Sequence, residues 1–226
     1  MSTVLITGAN RGIGLEFARQ YAEAGYRVHA ACRAPGSADA LASLGERVTL
    51  HALDVTDHAG IEALAAGLEN EAIDIVINNA GIYGEAQEFG KIDYAAWQEV
   101  MRVNTLAPLK MAECFLPHLE AGKMKMIASL TSRMGSIAEN DAGGVYIYRA
   151  SKAALNAAAR SLALDLAPRG ITVIVFHPGW VKTDMGGPGA LIDAETSVAG
   201  MRAVIEGAGP KDSGRFFAYD GAEVPW

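Results

Sequence analysis

Thr3-Val4-Leu5-Ile6-Thr7 runs directly into Gly8-Ala9-Asn10-Arg11-Gly12-Ile13-Gly14 and on to Leu15-Glu16-Phe17-Ala18. An apolar, β-branched run, a glycine-rich turn and the first residues of a helical pattern follow one another, which is the order of a first βα unit in a nucleotide-binding sheet. The spacing is GxxxGxG where the common dinucleotide fingerprint is GxGxxG, but the physical demand is the same. Glycines let the backbone approach a pyrophosphate with no Cβ in the way, and the helix that follows presents unpaired N–H groups and a partial positive charge. Gly8, Asn10, Arg11, Gly12, Ile13 and Gly14 are therefore candidate cofactor-binding residues. The same glycines would also serve a plain tight turn, so the rest of the chain has to decide.

Outward from this unit, short apolar runs alternate with longer Ala-rich stretches of helical period, the pattern of βαβ units building a parallel sheet. The runs are Val4–Thr7, Arg27–Cys32, Val48–His51, Ile73–Asn78, Met124–Ser129, Thr172–His177 and Arg215–Ala218. Helical stretches are expected at 13–24, 58–70, 94–120, 146–167 and 195–206, with a weaker one at 38–44. The fold class expected is α/β, a Rossmann-type doubly wound parallel sheet of about seven strands with helices on both faces. Gly135–Gly144 and Gly179–Asp193 break the alternation and read as loops over the carboxyl edge, where such sheets bind their ligands. Neither a repeat nor a linker divides the chain, so residues 1–226 are expected to form a single dinucleotide-binding and catalytic domain.

Composition narrows the function classes. Of 226 residues, 50% are hydrophobic and 20% charged, and the formal charge is -7, which suits a sizeable core and makes nucleic acid an unexpected partner. The two cysteines, Cys32 and Cys114, and the histidines at 29, 51, 58, 118 and 177 show no metal-ligand spacing. No metal site, disulfide framework, signal peptide or membrane span is expected, and the reading is a cytoplasmic protein acting on a small molecule.

The second strand ends Val28-His29-Ala30-Ala31-Cys32-Arg33, with no acidic residue between Gly25 and Ala38 to receive a ribose 2′-hydroxyl. Arg33 and Arg11 are instead placed to bind a 2′-phosphate through charge-assisted bonds, so NADP(H) is expected in preference to NAD(H). Further along, Tyr148-Arg149-Ala150-Ser151-Lys152 opens a helical stretch and puts a phenol and an ammonium one turn apart on one face. A cation so close is expected to lower the pKa of Tyr148 from about 10 toward the working range, letting the phenol exchange a proton with an alcohol or carbonyl oxygen. Tyr146 lacks such a partner, because Ala150 stands four residues on, and is assigned to packing or a substrate wall.

The ordered set of Gly8–Gly14, Asn78-Asn79-Ala80-Gly81, Asn104, Ser132, Tyr148–Lys152 and Pro178-Gly179 resembles the short-chain dehydrogenase/reductase family over nearly the whole chain. Within it, Tyr148-Arg149-Ala150-Ser151-Lys152-Ala153-Ala154-Leu155-Asn156 and the end from Tyr219-Asp220-Gly221 to Pro225-Trp226 are similar to the short carbonyl-reductase group of Sniffer and the C-factor-like proteins. The resemblance implies Tyr148 as general acid/base, Lys152 as the residue that holds the nicotinamide ribose and tunes Tyr148, and Ser132 as hydrogen-bond partner of the reacting oxygen. It implies Asn104 as member of a water-linked proton relay. Asp54 and Val55 take the adenine contact; Asn79, Ala80 and Gly81 form the cofactor-facing turn; Pro178, Gly179, Val181 and Thr183 close over the nicotinamide.

Ser132 lies sixteen residues before Tyr148 and Ser136 twelve; Ser132 is preferred because it follows the strand directly, with Ser136 as the alternative. Trp180, Met185 and Tyr83 are candidate pocket walls. The family's equivalents of the 94–120 and 146–167 helices pack subunits together, implying a homodimer or homotetramer. The function expected is NADP(H)-dependent reduction of an aldehyde, ketone or quinone to an alcohol. The alternatives are a cofactor-binding regulatory protein of C-factor type and, less favoured for want of a sugar-nucleotide region, an epimerase or dehydratase.

Overall fold

Strands form where the apolar runs place β-branched residues, and all seven pair in parallel. The computed structural model describes residues 1–226. Its strands are β1 (Thr3–Thr7), β2 (Arg27–Cys32), β3 (Val48–Ala52), β4 (Ile75–Asn78), β5 (Met126–Leu130), β6 (Thr172–His177) and β7 (Arg215–Ala218). The order across the sheet is β3-β2-β1-β4-β5-β6-β7. The chain therefore reverses its direction of travel between β1 and β4, and the crevice for a ligand opens at the carboxyl ends of that pair. β4 and β5 start two residues later than their apolar runs. The cause is Asp74, whose buried carboxylate accepts from the N–H groups of Thr3 (2.8 Å), Lys123 (2.7 Å) and Met124 (3.2 Å) and fixes the amino edge of three strands at once.

Helices α1 (Gly12–Glu23), α2 (Asp39–Ala42) and α7 (Ala194–Gly207) cover one face, and α3 (His58–Gly67), α5 (Ala107–Ala121) and α6 (Tyr146–Leu166) the other. One core joins Phe17, Tyr21, Leu41, Met201 and Ile205 to the sheet residues Val4, Ile6, Ile77 and Phe176. The other joins Ile61, Met111, Phe115, Leu119 and Leu166 to Leu5, Val76, Ile127 and Val175. Successive strand residues alternate between the two cores, which explains the unbroken apolar runs. β3, on the edge, buries only Val48.

The stretch at 94–120 differs from expectation. It is α4 (Tyr94–Met101) and α5 separated by a π-helical turn at Arg102–Leu106. Within this turn Asn104 is fully buried, its amide bonded to Ile82 and Ser151. On the sheet, Nδ1 of His29 meets Nε2 of His51 at 2.9 Å, so these two histidines pair with each other. No helix is long and apolar enough to cross a membrane.

Candidate active site

The glycine turn is held from below by side chains. The Thr7 hydroxyl accepts from the N–H groups of Asn79 and Ala80, both at 3.1 Å, and the Asn79 amide donates to the carbonyls of Thr7 (2.9 Å) and Gly8 (3.0 Å). These bonds lock the ends of β1 and β4 together across the switch point. Gly8 and Gly12 adopt φ of 65° and 52°, and a Cβ on Gly14 would overlap the Gly8 carbonyl oxygen. Arg11, the N-cap of α1, makes no capping bond with its side chain. The first-turn N–H groups of α1 thus face the crevice without a side-chain partner at the cap, in a cradle that any Cβ would fill. The donor set suits the pyrophosphate of a dinucleotide.

At the adenine end, Arg33 is exposed and forms no ion pair. The Asp54 carboxylate accepts from the N–H (2.9 Å) and the hydroxyl (2.8 Å) of Thr56; these bonds lower its pKa, with Arg33 and Arg102 adding to the effect. Val55 packs beside Thr7, Asn78 and Ala80. Arg11 departs from the paired-arginine expectation. Its guanidinium reaches across to Asp184 at 2.9 Å, because the Gly179–Asp193 loop comes down onto the glycine turn. Thr183 marks that contact, since its methyl group would lie 3.1 Å from a Cβ on Gly12.

That loop is braced internally. Val181 bridges Ile192, the indole N–H of Trp180 donates to the Gly186 carbonyl at 2.8 Å, and Thr183 Oγ1 accepts from the Gly186 N–H at 3.2 Å. Pro178 and Gly179 lead into it from the end of β6, where the Pro178 carbonyl accepts from the Ser197 hydroxyl.

Beside the crevice stand the four candidate catalytic residues. Asn104 is fully buried; its amide donates to the Ile82 carbonyl (2.8 Å) and to Ser151 Oγ (3.0 Å), and its Oδ1 accepts from the Ile82 N–H (2.9 Å). Gly81 lies between Asn104 and Lys152: a Cβ there would be 3.4 Å from Asn104 Oδ1 and 3.6 Å from Lys152 Nζ. Ser132 caps the short turn Arg133–Gly135, its Oγ accepting from the Met134 N–H at 3.1 Å. Its hydroxyl adjoins Tyr148. Ser136 faces elsewhere, accepting from the Glu139 N–H at 3.1 Å.

The electrostatics of the Tyr148–Lys152 pair overturn one expectation. Burial pushes the Tyr148 phenol up to about 12; the Ser132 hydroxyl opposes that shift and the neighbouring Tyr83 reinforces it. Lys152 is not among the groups that set this shift. Its ammonium, only 4% exposed, donates to the Leu130 carbonyl at 2.7 Å and sits 5.7 Å from the Tyr148 ring centre. Burial brings Lys152 itself down to about 8, because the charged form has lost its water.

Several groups around the site gave no sequence signal. Gln87 Oε1 accepts from the Tyr148 backbone N–H at 2.8 Å across 61 positions. The Ser151 hydroxyl donates to the Tyr148 carbonyl at 2.8 Å. Of the proposed walls, Tyr83 lies ring to ring with Tyr148 at 4.8 Å, while Trp180 and Met185 are half-exposed on the loop. Phe89 and Tyr146 pair with ring centres 6.2 Å apart, both exposed.

The fold and this geometry have close counterparts. A family profile described as short chain dehydrogenase matches residues 2–190. The chain is 48% identical over 166 residues to C-signal of Myxococcus xanthus, covering 74% of this chain and 100% of that one. The structure is similar to the carbonyl reductase Sniffer of D. melanogaster, with a TM-score of 0.94, 32% identity and 100% of both chains covered. It is similar as well to the NADPH-bound carbonyl reductase from chicken fatty liver, with a TM-score of 0.92, 35% identity, and 100% and 99% covered. With the sheet order, the glycine turn and these matches in agreement, the chain belongs to the short-chain dehydrogenase/reductase family of NAD(P)-dependent oxidoreductases.

Proposed function

We propose that the protein reduces the carbonyl group of an aldehyde, ketone or quinone to an alcohol with NADP(H), and that residues 1–226 act as one dinucleotide-binding and catalytic unit. The observation that carries the reading is the half-buried Tyr148 phenol beside the Ser132 hydroxyl and followed one turn on by the buried Lys152, all beside the glycine turn. Arg33, exposed and unpaired at the end of β2, supports a 2′-phosphate and hence NADP(H) over NAD(H). The NADPH carried by the chicken carbonyl reductase is consistent with that assignment.

When bound, the nicotinamide supplies the hydride. The chain supplies binding, orientation and the proton. Gly8, Asn10, Gly12, Ile13 and Gly14 would cradle the pyrophosphate, Asp54 and Val55 would border the adenine, and Asn79, Ala80 and Gly81 would face the ribose. Val181 and Thr183, with Pro178 and Gly179, close the loop over the nicotinamide. With a pKa of about 12, Tyr148 is protonated at neutral pH, so it is set to donate a proton to the oxygen that gains negative charge during reduction. Ser132 donates a hydrogen bond to the same oxygen. Lys152 holds the ribose hydroxyls and contributes its positive charge below about pH 8. Asn104, its amide donating to Ile82 and Ser151, stands across Gly81 from Lys152, in place to join a water-linked proton relay.

The test is a fluorescence titration with NADPH and NADH, followed by absorbance at the reduced-nicotinamide band with a panel of aldehydes, ketones and quinones. Tight NADPH binding and carbonyl-dependent oxidation are expected, and Tyr148→Phe should reduce kcat by more than about a hundredfold with NADPH affinity retained. Turnover retained in Tyr148→Phe removes the role given to Tyr148. The similarity to C-signal favours a second reading, a regulator that binds cofactor without turnover. Nucleotide binding with no oxidation across the panel would favour it. Leu106 and Leu164, exposed on the helical face expected to pack subunits, support a homo-oligomer, which light scattering checks.

A further inference from the structure

Helix α6, which carries Tyr148 and Lys152, starts with no cap of its own. Its N-cap residue Val145 lies at φ 48°, ψ 45° and makes no side-chain capping bond. That left-handed conformation is disfavoured for a β-branched residue and persists only where the surroundings enforce it. The first-turn N–H groups of a helix have no acceptor within it, and the N–H of Tyr148 is among them.

Gln87 supplies the acceptor from another part of the chain. Its side chain is nearly buried, 9% exposed, and uses both ends of its amide. Oε1 accepts from the Tyr148 N–H at 2.8 Å, while Nε2 donates to the carbonyls of Tyr83 (2.9 Å) and Gly84 (3.0 Å). Ala86, just before Gln87, is a second non-glycine residue in the left-handed region, at φ 49°. Strained backbone thus stands on each side of the Gln87–Tyr148 bond. The segment that Gln87 folds back on itself also carries the Tyr83 ring, 4.8 Å from the Tyr148 ring. On the opposite side of the same residue, the Tyr148 carbonyl accepts from Ser151, which is tied in turn to Asn104. The Tyr148 peptide is held at both ends, and Gln87 is the end that comes from outside the helix.

We propose that Gln87 is a positioning residue for the proton chemistry of Tyr148: its amide caps α6 from outside the helix and seats the Tyr83 ring against the phenol. The proposal rests on the functional reading above, in which Tyr148 is the proton donor. Gln87 acts through Tyr148 and Tyr83 and contributes no proton of its own. Without it, the first turn of α6 frays and the phenol loses its fixed place against the Tyr83 ring.

The experiment compares wild type, Gln87→Ala and Gln87→Glu, with Tyr148→Phe alongside. Amide hydrogen exchange in the nucleotide-free protein is read first, then the NADPH dissociation constant, then kcat with a carbonyl that the wild type reduces. In Gln87→Ala, exchange at the Tyr148 amide should accelerate by about tenfold or more, since its acceptor is gone. The same variant should lose about tenfold in kcat with NADPH affinity within about twofold. Gln87→Glu keeps an acceptor for Tyr148 but not the two donors that seat the Tyr83 segment, so slow exchange should return while the loss of kcat remains. Wild-type exchange in Gln87→Ala overturns the cap. Wild-type kcat in that variant overturns the positioning role, as does a loss of kcat matched by an equal loss of NADPH affinity. Turnover surviving in Tyr148→Phe is a different failure: it defeats the functional reading and leaves the exchange result to decide whether Gln87 caps the helix.

Discussion

Helices α1 and α6 both begin at the carboxyl edge of the sheet, and neither has a capping bond from its own N-cap side chain. The protein treats the two ends in opposite ways. At α1 the first-turn donors are left open in a turn shaped by Gly8, Gly12 and Gly14, with Thr7 and Asn79 bracing the strands beneath. At α6 a donor is taken by Gln87, which ties the Tyr148 peptide to the segment that carries Tyr83. An open helix start is a place for an anion to bind; a closed one fixes a side chain. The difference separates the cofactor half of the site from the reacting half.

Four measurements break or sharpen this contrast. The largest effect is expected at the open end. Gly14→Ala drives a Cβ into the Gly8 carbonyl and within 2.5 Å of the Asn79 amide nitrogen, so NADPH affinity should fall by more than about a hundredfold, about 3 kcal/mol or more. A fluorescence titration that finds unaltered affinity would mean that the pyrophosphate does not lie on this turn. Next comes pH at the closed end. Burial lowers Lys152 to about 8, so its charge is present below that pH and lost above it. Accordingly kcat/KM for NADPH, which reports the nucleotide-free enzyme, should decline by up to about tenfold per pH unit above about 8. A profile flat to pH 10 would show that the ammonium is not needed.

Third, Arg33→Ala should reduce the preference for NADPH over NADH by about tenfold or somewhat more, the worth of one charge-assisted contact; an unchanged ratio would transfer the 2′-phosphate to Arg11. The smallest effect is at the strained start of α6. Val145→Gly should relieve the left-handed backbone and raise stability by about 0.5–1 kcal/mol, after the entropy that glycine loses on folding. A thermal melt in which Val145→Gly is clearly destabilised would mean that the valine side chain, not Gln87, holds the helix start.

The open end was legible in the sequence and the closed end only in part. The glycine turn, the seven strands and the Tyr148–Lys152 spacing are local patterns, and each appears within a few residues of where it was expected. What escaped depends on partners far along the chain. Gln87 meets Tyr148 across 61 positions and Arg11 meets Asp184 across 173, and neither pairing has a periodicity to announce it. The direction of the Tyr148 shift was missed for a related reason: the i, i+4 spacing shows that Lys152 is near but not that the Leu130 carbonyl holds its ammonium, nor how much water the phenol has lost. The break at Arg102–Leu106 was hidden because apolar residues continue at helical spacing on either side of it.

That break also has a rotational meaning. A π turn adds one residue to what would otherwise be a single helix, and each residue of an α-helix turns the side chains by about 100°. The added residue therefore works as a phase shifter: α4 keeps Val100 against its neighbours while α5 presents Met111, Phe115 and Leu119 to the second core. Removing one residue between Arg102 and Leu106 would yield a more regular helix and a misaligned one, with the Phe115 row swung away from the sheet or the α4 row swung toward solvent. Asn104 and the packing of α5 are thus set by the same turn, so the site cannot be regularised there without unseating part of the core.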